Sequence, residues 1–248
     1  MISDEKYPIN TVLFDFDGTL ANSMRIIELI ARQGLYYLDY NIIDDDSAIN
    51  HRINENLMKT NEGQSGKTVL FQMFYQFGRI LKLSRFKSFM FMIFCIYGLI
   101  RYYNKAPIFS FVPESVLSLN KAGISLGIVT TARSKDVRKI LPDSLIKYFK
   151  VIIARDMVKK VKPSPEGLNW ALSLLKTNPK NAIYIGDLPH DILAAKNAQI
   201  RSIAVLTGLA TKELLMEYNP DIICKDIKEA TQWILQFNNS TNKSSKDE

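Results

Sequence analysis

Asp15 and Asp17 close an apolar run, Val12-Leu13-Phe14-Asp15-Phe16-Asp17, and Gly18-Thr19-Leu20 follows them. In an extended chain residues i and i+2 point to the same side. The two acids are therefore expected to face one hollow while Phe14 and Phe16 pack the other way. Carboxylates this close repel each other, so a cation or a shared proton is expected with them. A second acidic pair, Asp187 and Asp191, stands in Gly186-Asp187-Leu188-Pro189-His190-Asp191, where a glycine-started loop enters a helix. Oxygen ligands at that spacing suit a hard divalent cation whose octahedron is completed by water. Thr130, in Val129-Thr130-Thr131-Ala132-Arg133, can donate its hydroxyl to a phosphate oxygen, and neighbouring backbone N–H groups can add more. Lys162 precedes a rigid turn, Pro163-Ser164-Pro165-Glu166, and can be aimed as a point charge; Lys159 and Lys160 are nearby competitors.

These residues need strands to deliver them to one place. After the first strand, Ser125–Val129, Val151–Ala154, Ala182–Ile185, Ile203–Leu206 and Asp221–Cys224 are strand-like. Helical stretches such as Glu166–Leu175, Asp191–Asn197 and Ile227–Phe237 lie between them. Alternation of this kind predicts an α/β fold with a doubly wound, mostly parallel sheet, in which ligands sit beyond the carboxyl ends of the strands. Between the first strand and Phe111 the pattern is helical instead. Leu70, Phe74, Phe77 and Leu81 form one apolar stripe, and Asn22-Ser23 can cap an earlier helix. The expected organisation is a core of residues 1–20 and 110–238, an all-helical insert over 21–109, and a polar, disordered tail over 239–248.

Asp15-Phe16-Asp17-Gly18-Thr19-Leu20 resembles the signature of the haloacid dehalogenase (HAD) superfamily in its phosphatase form. Thr130, Lys162-Pro163-Ser164-Pro165 and Gly186-Asp187 through Asp191 resemble that superfamily's later motifs, in the same order. The likeness covers about 150 core residues and leaves the helical insert, or cap, unmatched. It implies a Rossmann-like core and a phosphoglycolate phosphatase-like, Mg²⁺-dependent phosphoric monoester hydrolase. Asp15 would be the nucleophile that forms an aspartyl-phosphate, and Asp17 the general acid and base. Thr130 and Lys162 would bind and steady the phosphoryl group, with Gly18 and Thr131 also at the substrate. The metal would be held by Asp15, by Asp17 through its backbone carbonyl, by Asp187 directly, and by Asp191 directly or through water. Dehalogenases lack the second aspartate, so Asp17 favours phosphoryl transfer. A phosphomutase, or a phosphonatase using Lys59 or Lys67, stays open on the same fold. The family's frequent glycine after Ala198 is replaced here by Gln199.

Other segments are read more plainly. Asp44-Asp45-Asp46 is an acidic helix cap rather than a metal site, and His190 is a loop residue facing water. Gly63-Gln64-Ser65-Gly66-Lys67-Thr68 imitates the end of a phosphate-binding P-loop, but Asn61 stands where its first glycine should be and no strand precedes it. Phe89–Ile100 is apolar all round and flanked by Arg85, Lys87 and Arg101. At well under the ~20 residues of a bilayer span, it reads as a helix buried in the cap or in a dimer interface, with insertion at a membrane surface or a lid over an apolar substrate as the other readings. The formal charge of +7 and pI near 9.2 favour anionic small molecules, here a small phosphorylated substrate. No basic run with interleaved aromatics points to nucleic acid. Cys95 and Cys224 read as reduced packing residues, and the N-terminus has no signal-peptide pattern, so a cytoplasmic monomer or homodimer is expected.

Overall fold

A computed structural model describes residues 7–40 and 67–244, and the chain separates into two compact units, residues 1–22 with 107–248 and residues 23–106. The acidic run 44–46, Lys59 and most of the P-loop-like stretch lie outside the described residues.

The first unit is built on six parallel strands: β1 (Thr11–Phe14), β2 (Ser125–Val129), β3 (Phe149–Ile153), β4 (Ala182–Gly186), β5 (Arg201–Val205) and β6 (Ile222–Cys224). Their order is β3-β2-β1-β4-β5-β6, which puts β1 inside the sheet between β2 and β4. All four β1 residues are buried, as expected of a parallel strand covered on both faces. Phe14 is registered with Ile128 of β2 and Ile185 of β4. Asp15 is thus level with Val129 and Gly186, one step below Thr130 and Asp187. The strand order decides which motifs meet.

The helices are α1 (Ser23–Tyr37), α2 (Lys67–Ile80), α3 (Arg85–Tyr102), α4 (Val112–Lys121), α5 (Ser134–Ile140), α6 (Asp143–Ile146), α7 (Glu166–Leu175), α8 (Pro189–Asn197), α9 (Lys212–Glu217) and α10 (Ile227–Ser244). Leu168, Ala171 and Leu172 of α7 and Ala194 and Ala195 of α8 form one buried cluster with Leu13, Val129, Ile153 and Tyr184 of the strands. In the second unit Ile30, Leu35, Phe74, Phe77, Leu83, Phe91, Met92 and Cys95 form a separate core among α1, α2 and α3. Both cysteines are free and buried, and burial raises both thiols, Cys224 to about 12.

Three expectations are corrected. β1 ends at Phe14, so Asp17 does not follow Asp15 along a strand. The chain turns instead, with Leu20 N and Ala21 N both donating to Phe16 O and Gly18 N to Ala21 O. The polar stretch 239–244 is helical, not disordered. Asn238 exchanges two hydrogen bonds of 2.7 Å with the backbone of Ile9, and Thr241 donates to Phe237 O, so α10 is pinned against the start of the sheet. Lastly, α3 is not buried all round; it buries one side only. No helix among the described residues is long and apolar enough to cross a membrane.

Gln199 terminates α8 with φ +57°, and the backbone bonds Gln199 N to Lys196 O and Ile200 N to Ala195 O complete a Schellman-type cap. A glycine adopts this conformation without steric cost. Gln199→Gly is therefore expected to stabilise the protein by about 1 kcal/mol in a urea titration.

Candidate active site

Asp15 leaves the carboxyl end of β1 with its N–H donating to Ile185 O at 2.8 Å, and its side chain is buried. Asp187 follows the last residue of β4, and Asp191 sits in the first turn of α8. All three are almost fully buried, and each offers an oxygen within 4.8 Å of the others'. Lys162 reaches this cluster from the loop after β3. Its ammonium is 2.8 Å from Asp15 Oδ1, pairs with Asp191 Oδ1, and donates to the Tyr184 hydroxyl at 2.9 Å. Lys159 and Lys160 are exposed, and their backbone N–H groups bind the Glu166 carboxylate, which folds the loop so that Lys162 points inward.

The electrostatics follow from burial. Desolvation raises Asp187 well above the carboxylate range, and the charges of Asp191 and Asp15 add to it. Asp15 is raised for the same first reason, partly offset by Lys162. Burial also acts on Asp191, but Lys162 and the Leu188 N–H at 3.0 Å outweigh it and leave Asp191 lowered. Burial alone would lower Lys162; the two carboxylates beside it overcome this and keep the ammonium charged. Three carboxyl groups crowd one ammonium in a buried hollow, where burial disfavours the charged forms of Asp187 and Asp15 unless a further cation joins them. That donor set suits a hard cation held by oxygen. Asp15 Oδ1 has the lysine nearby yet no donor aligned on it, which leaves it able to ligate.

The remaining sequence candidates fall around this cluster. Thr130 is buried at the end of β2; its Oγ1 accepts from Ala132 N at 3.1 Å, which leaves the O–H to donate. Thr131 is half-buried beside it. Asp17 is half-buried in the turn after β1 and is not part of the three-carboxylate cluster. Gly18 has φ +77°, and a Cβ there would lie 2.4 Å from Asp187 Oδ2. His190 has a side chain only 31% exposed, with Nε2 3.9 Å from Asp191 Oδ1, so it sits at the rim of the cluster rather than facing open water.

Sequence reasoning missed four residues. Tyr184, almost fully buried in β4, accepts from Lys162 and donates to Val129 O at 2.7 Å, tying the lysine to the end of β2. A lone hydroxyl inside an apolar strand was its signal, because a buried tyrosine needs a partner. Thr19 donates to Asp187 Oδ1 at 3.2 Å, and Thr207 donates to Gly18 O. Gly208 packs so tightly that a Cβ would fall 1.6 Å from Asp187 Oδ2. Nothing in the sequence around Thr207 and Gly208 marks them beyond a glycine shortly after a strand. Gly208→Ala is expected to displace Asp187 and lower turnover about 10²-fold, the usual effect of a 1 Å misplacement. Steady-state kinetics against Mg²⁺ concentration would show it.

Comparison with known proteins assigns the family. The model of the haloacid dehalogenase-like hydrolases matches residues 12–205, most of the chain. The chain belongs to the haloacid dehalogenase-like hydrolases. Among curated relatives of this hydrolase, a protein named pyrophosphatase PpaX from Bacillus cereus (strain Q1) is 30% identical over 236 residues, covering 94% of this chain and 99% of the relative. A haloacid dehalogenase-like hydrolase structure from Bacteroides fragilis is 27% identical with a TM-score of 0.59, covering 88% of this chain and 97% of that one. A structure described as a predicted phosphoglycolate phosphatase from Haemophilus somnus 129pt shares the fold with a TM-score of 0.65 at 19% identity, covering 92% and 99%. The HAD-like hydrolase described here is an enzyme.

Proposed function

We propose that this hydrolase is a Mg²⁺-dependent phosphatase that cleaves a small phosphorylated metabolite through an aspartyl-phosphate on Asp15. The single observation that carries this is the meeting of Lys162 with three buried carboxylates, Asp15, Asp187 and Asp191, at the carboxyl ends of the strands. Asp15, Asp187 and the backbone carbonyl of Asp17 would hold the metal. The oxygens of Asp191 already serve Lys162 and Leu188 N, which favours ligation by Asp191 through water. When bound, Mg²⁺ supplies charge neutralisation and Lewis acidity at the phosphoryl oxygens.

The chain's own residues account for the rest. An Asp15 carboxylate oxygen attacks phosphorus, and the bond from phosphorus to the ester oxygen breaks as Asp17 gives that oxygen a proton. Lys162 and the Thr130 hydroxyl hold the phosphoryl oxygens as charge builds on them. Asp17, now ionised, takes a proton from the water that attacks the aspartyl-phosphate. Phosphate leaves, and Asp15 and Asp17 return to their starting forms.

A panel of phosphoglycolate, hexose phosphates and inorganic pyrophosphate, read as free phosphate, tests the activity and its substrate class. Pyrophosphate belongs on it because of the relative's name. Turnover that persists after chelation of divalent cations would falsify the metal requirement. Mg²⁺ is also expected to raise the melting temperature, with stabilisation of about 2.7 kcal/mol at a hundredfold excess over its Kd. An unchanged Tm in saturating Mg²⁺ would remove the cation from the cluster.

A further inference from the structure

The formal charge of +7 is not spread along the chain. Residues 63–113 contain seven basic residues and no acidic one, so this stretch carries the whole excess and the remainder sums to zero. Helix α3 lies within it. Its inner side, Ser88, Phe91, Met92, Cys95 and Gly98, is buried. The opposite side presents Phe86, Phe89, Met90, Ile93, Tyr97 and Ile100, each between 42% and 81% exposed. Their spacing of three or four residues makes one continuous stripe along the helix. Lys82 and Arg85 stand before it, and Arg101 and Lys105 after it. Lys87 is otherwise engaged, donating to Leu38 O at 2.8 Å.

We propose that this face of α3 docks on the surface of an anionic lipid bilayer. A helix lying in the plane of the bilayer buries an apolar stripe at the headgroup boundary while basic residues meet lipid phosphates. Phenylalanine, tyrosine and isoleucine on the stripe suit that depth, since aromatic side chains favour the interface. Spanning is excluded for this helix by its length and hydropathy. A second copy of the chain fits worse: with a basic pair at each end, two α3 helices laid together oppose like charges whether parallel or antiparallel. Only an anionic surface complements both ends and the middle at once.

Co-sedimentation of the full chain with vesicles tests this without any turnover. Vesicles of phosphatidylcholine alone are compared with vesicles that also contain phosphatidylglycerol, at low and at high salt. The chain is expected to pellet with the anionic vesicles at low salt, to be released as salt rises, and to bind phosphatidylcholine alone weakly. Arg85→Glu with Arg101→Glu, and separately Phe89→Ser with Ile93→Ser, are each expected to cut binding about tenfold or more while aryl-phosphate turnover is unchanged. Failure to pellet, equal binding to neutral vesicles, or full binding by the charge-reversed variant overturns the proposal. So does a dimer, in sedimentation velocity, that Ile93→Ser dissolves, which assigns the face to a second copy. The lipid and salt comparisons use the unaltered chain, so they decide the question even if a variant unfolds.

Discussion

Asp15→Asn is expected to lower phosphatase turnover by roughly 10⁴-fold or more while the protein stays folded, because it removes the attacking group together with one of the two carboxylates paired with Lys162. The amide keeps the size of the carboxylate and the backbone bond to Ile185 O is untouched. Burial already disfavours the charged form of Asp15. Loss of its charge therefore relieves a strained site, and the melting temperature without metal should hold or rise. Measured together, kcat and Tm separate a chemical role from a structural one. A variant that keeps wild-type turnover sinks the aspartyl-phosphate; a variant that loses activity only because it unfolds leaves Asp15 as a packing residue.

Lys162→Met is the second large effect, and it acts on stability as well as rate. The lysine is the counter-charge for Asp15 and Asp191, and its side chain is only 4% exposed. Removing it leaves buried carboxylates facing one another, a change that costs about 3–5 kcal/mol in comparable pairs, or about 10 °C in Tm for a chain of this size. Lys162 sits above its ordinary value, so its contribution is present throughout the neutral range and is lost only at strongly alkaline pH. In the variant the stranded carboxylates take up protons more readily, so the deficit should shrink as the pH falls. Saturating Mg²⁺ should recover part of it at neutral pH by supplying charge of the same sign. Thermal melts across pH, with and without Mg²⁺, test this. A variant as stable as the parent at neutral pH would show that the carboxylates do not depend on the lysine.

Much of the core was legible because its signals are local. The apolar runs that begin at Val12 and span Ser125–Val129 and Ala182–Ile185 announce buried strands, and the glycines and prolines beside them announce the turns. The choice of Lys162 over its two neighbours also had a local basis, the proline that follows it. What failed did so where non-local packing overrides pattern. The run ending in Asp17 reads as one strand, but the bonds that Leu20 and Ala21 make to Phe16 O bend it after Phe14. The tail beyond Asn238 reads as disordered because it is polar, and residues 239–244 of it are helical because Asn238 binds the backbone of Ile9, 229 positions away. The apolar run in α3 reads as buried, yet only one side finds a partner among α1 and α2.

By itself the sequence determined the family-bearing chemistry: which acids, which hydroxyl and which lysine stand at strand ends, and in what order. It did so because strand ends and turns are written in neighbouring residues. Tertiary structure alone decided the distances. Strand order brings Asp15 between the ends of β2 and β4, Tyr184 fastens Lys162 beneath them, and Gly208 leaves room for Asp187. Those depend on residues far apart in the chain, whose approach is set by how the sheet and its helices share one core.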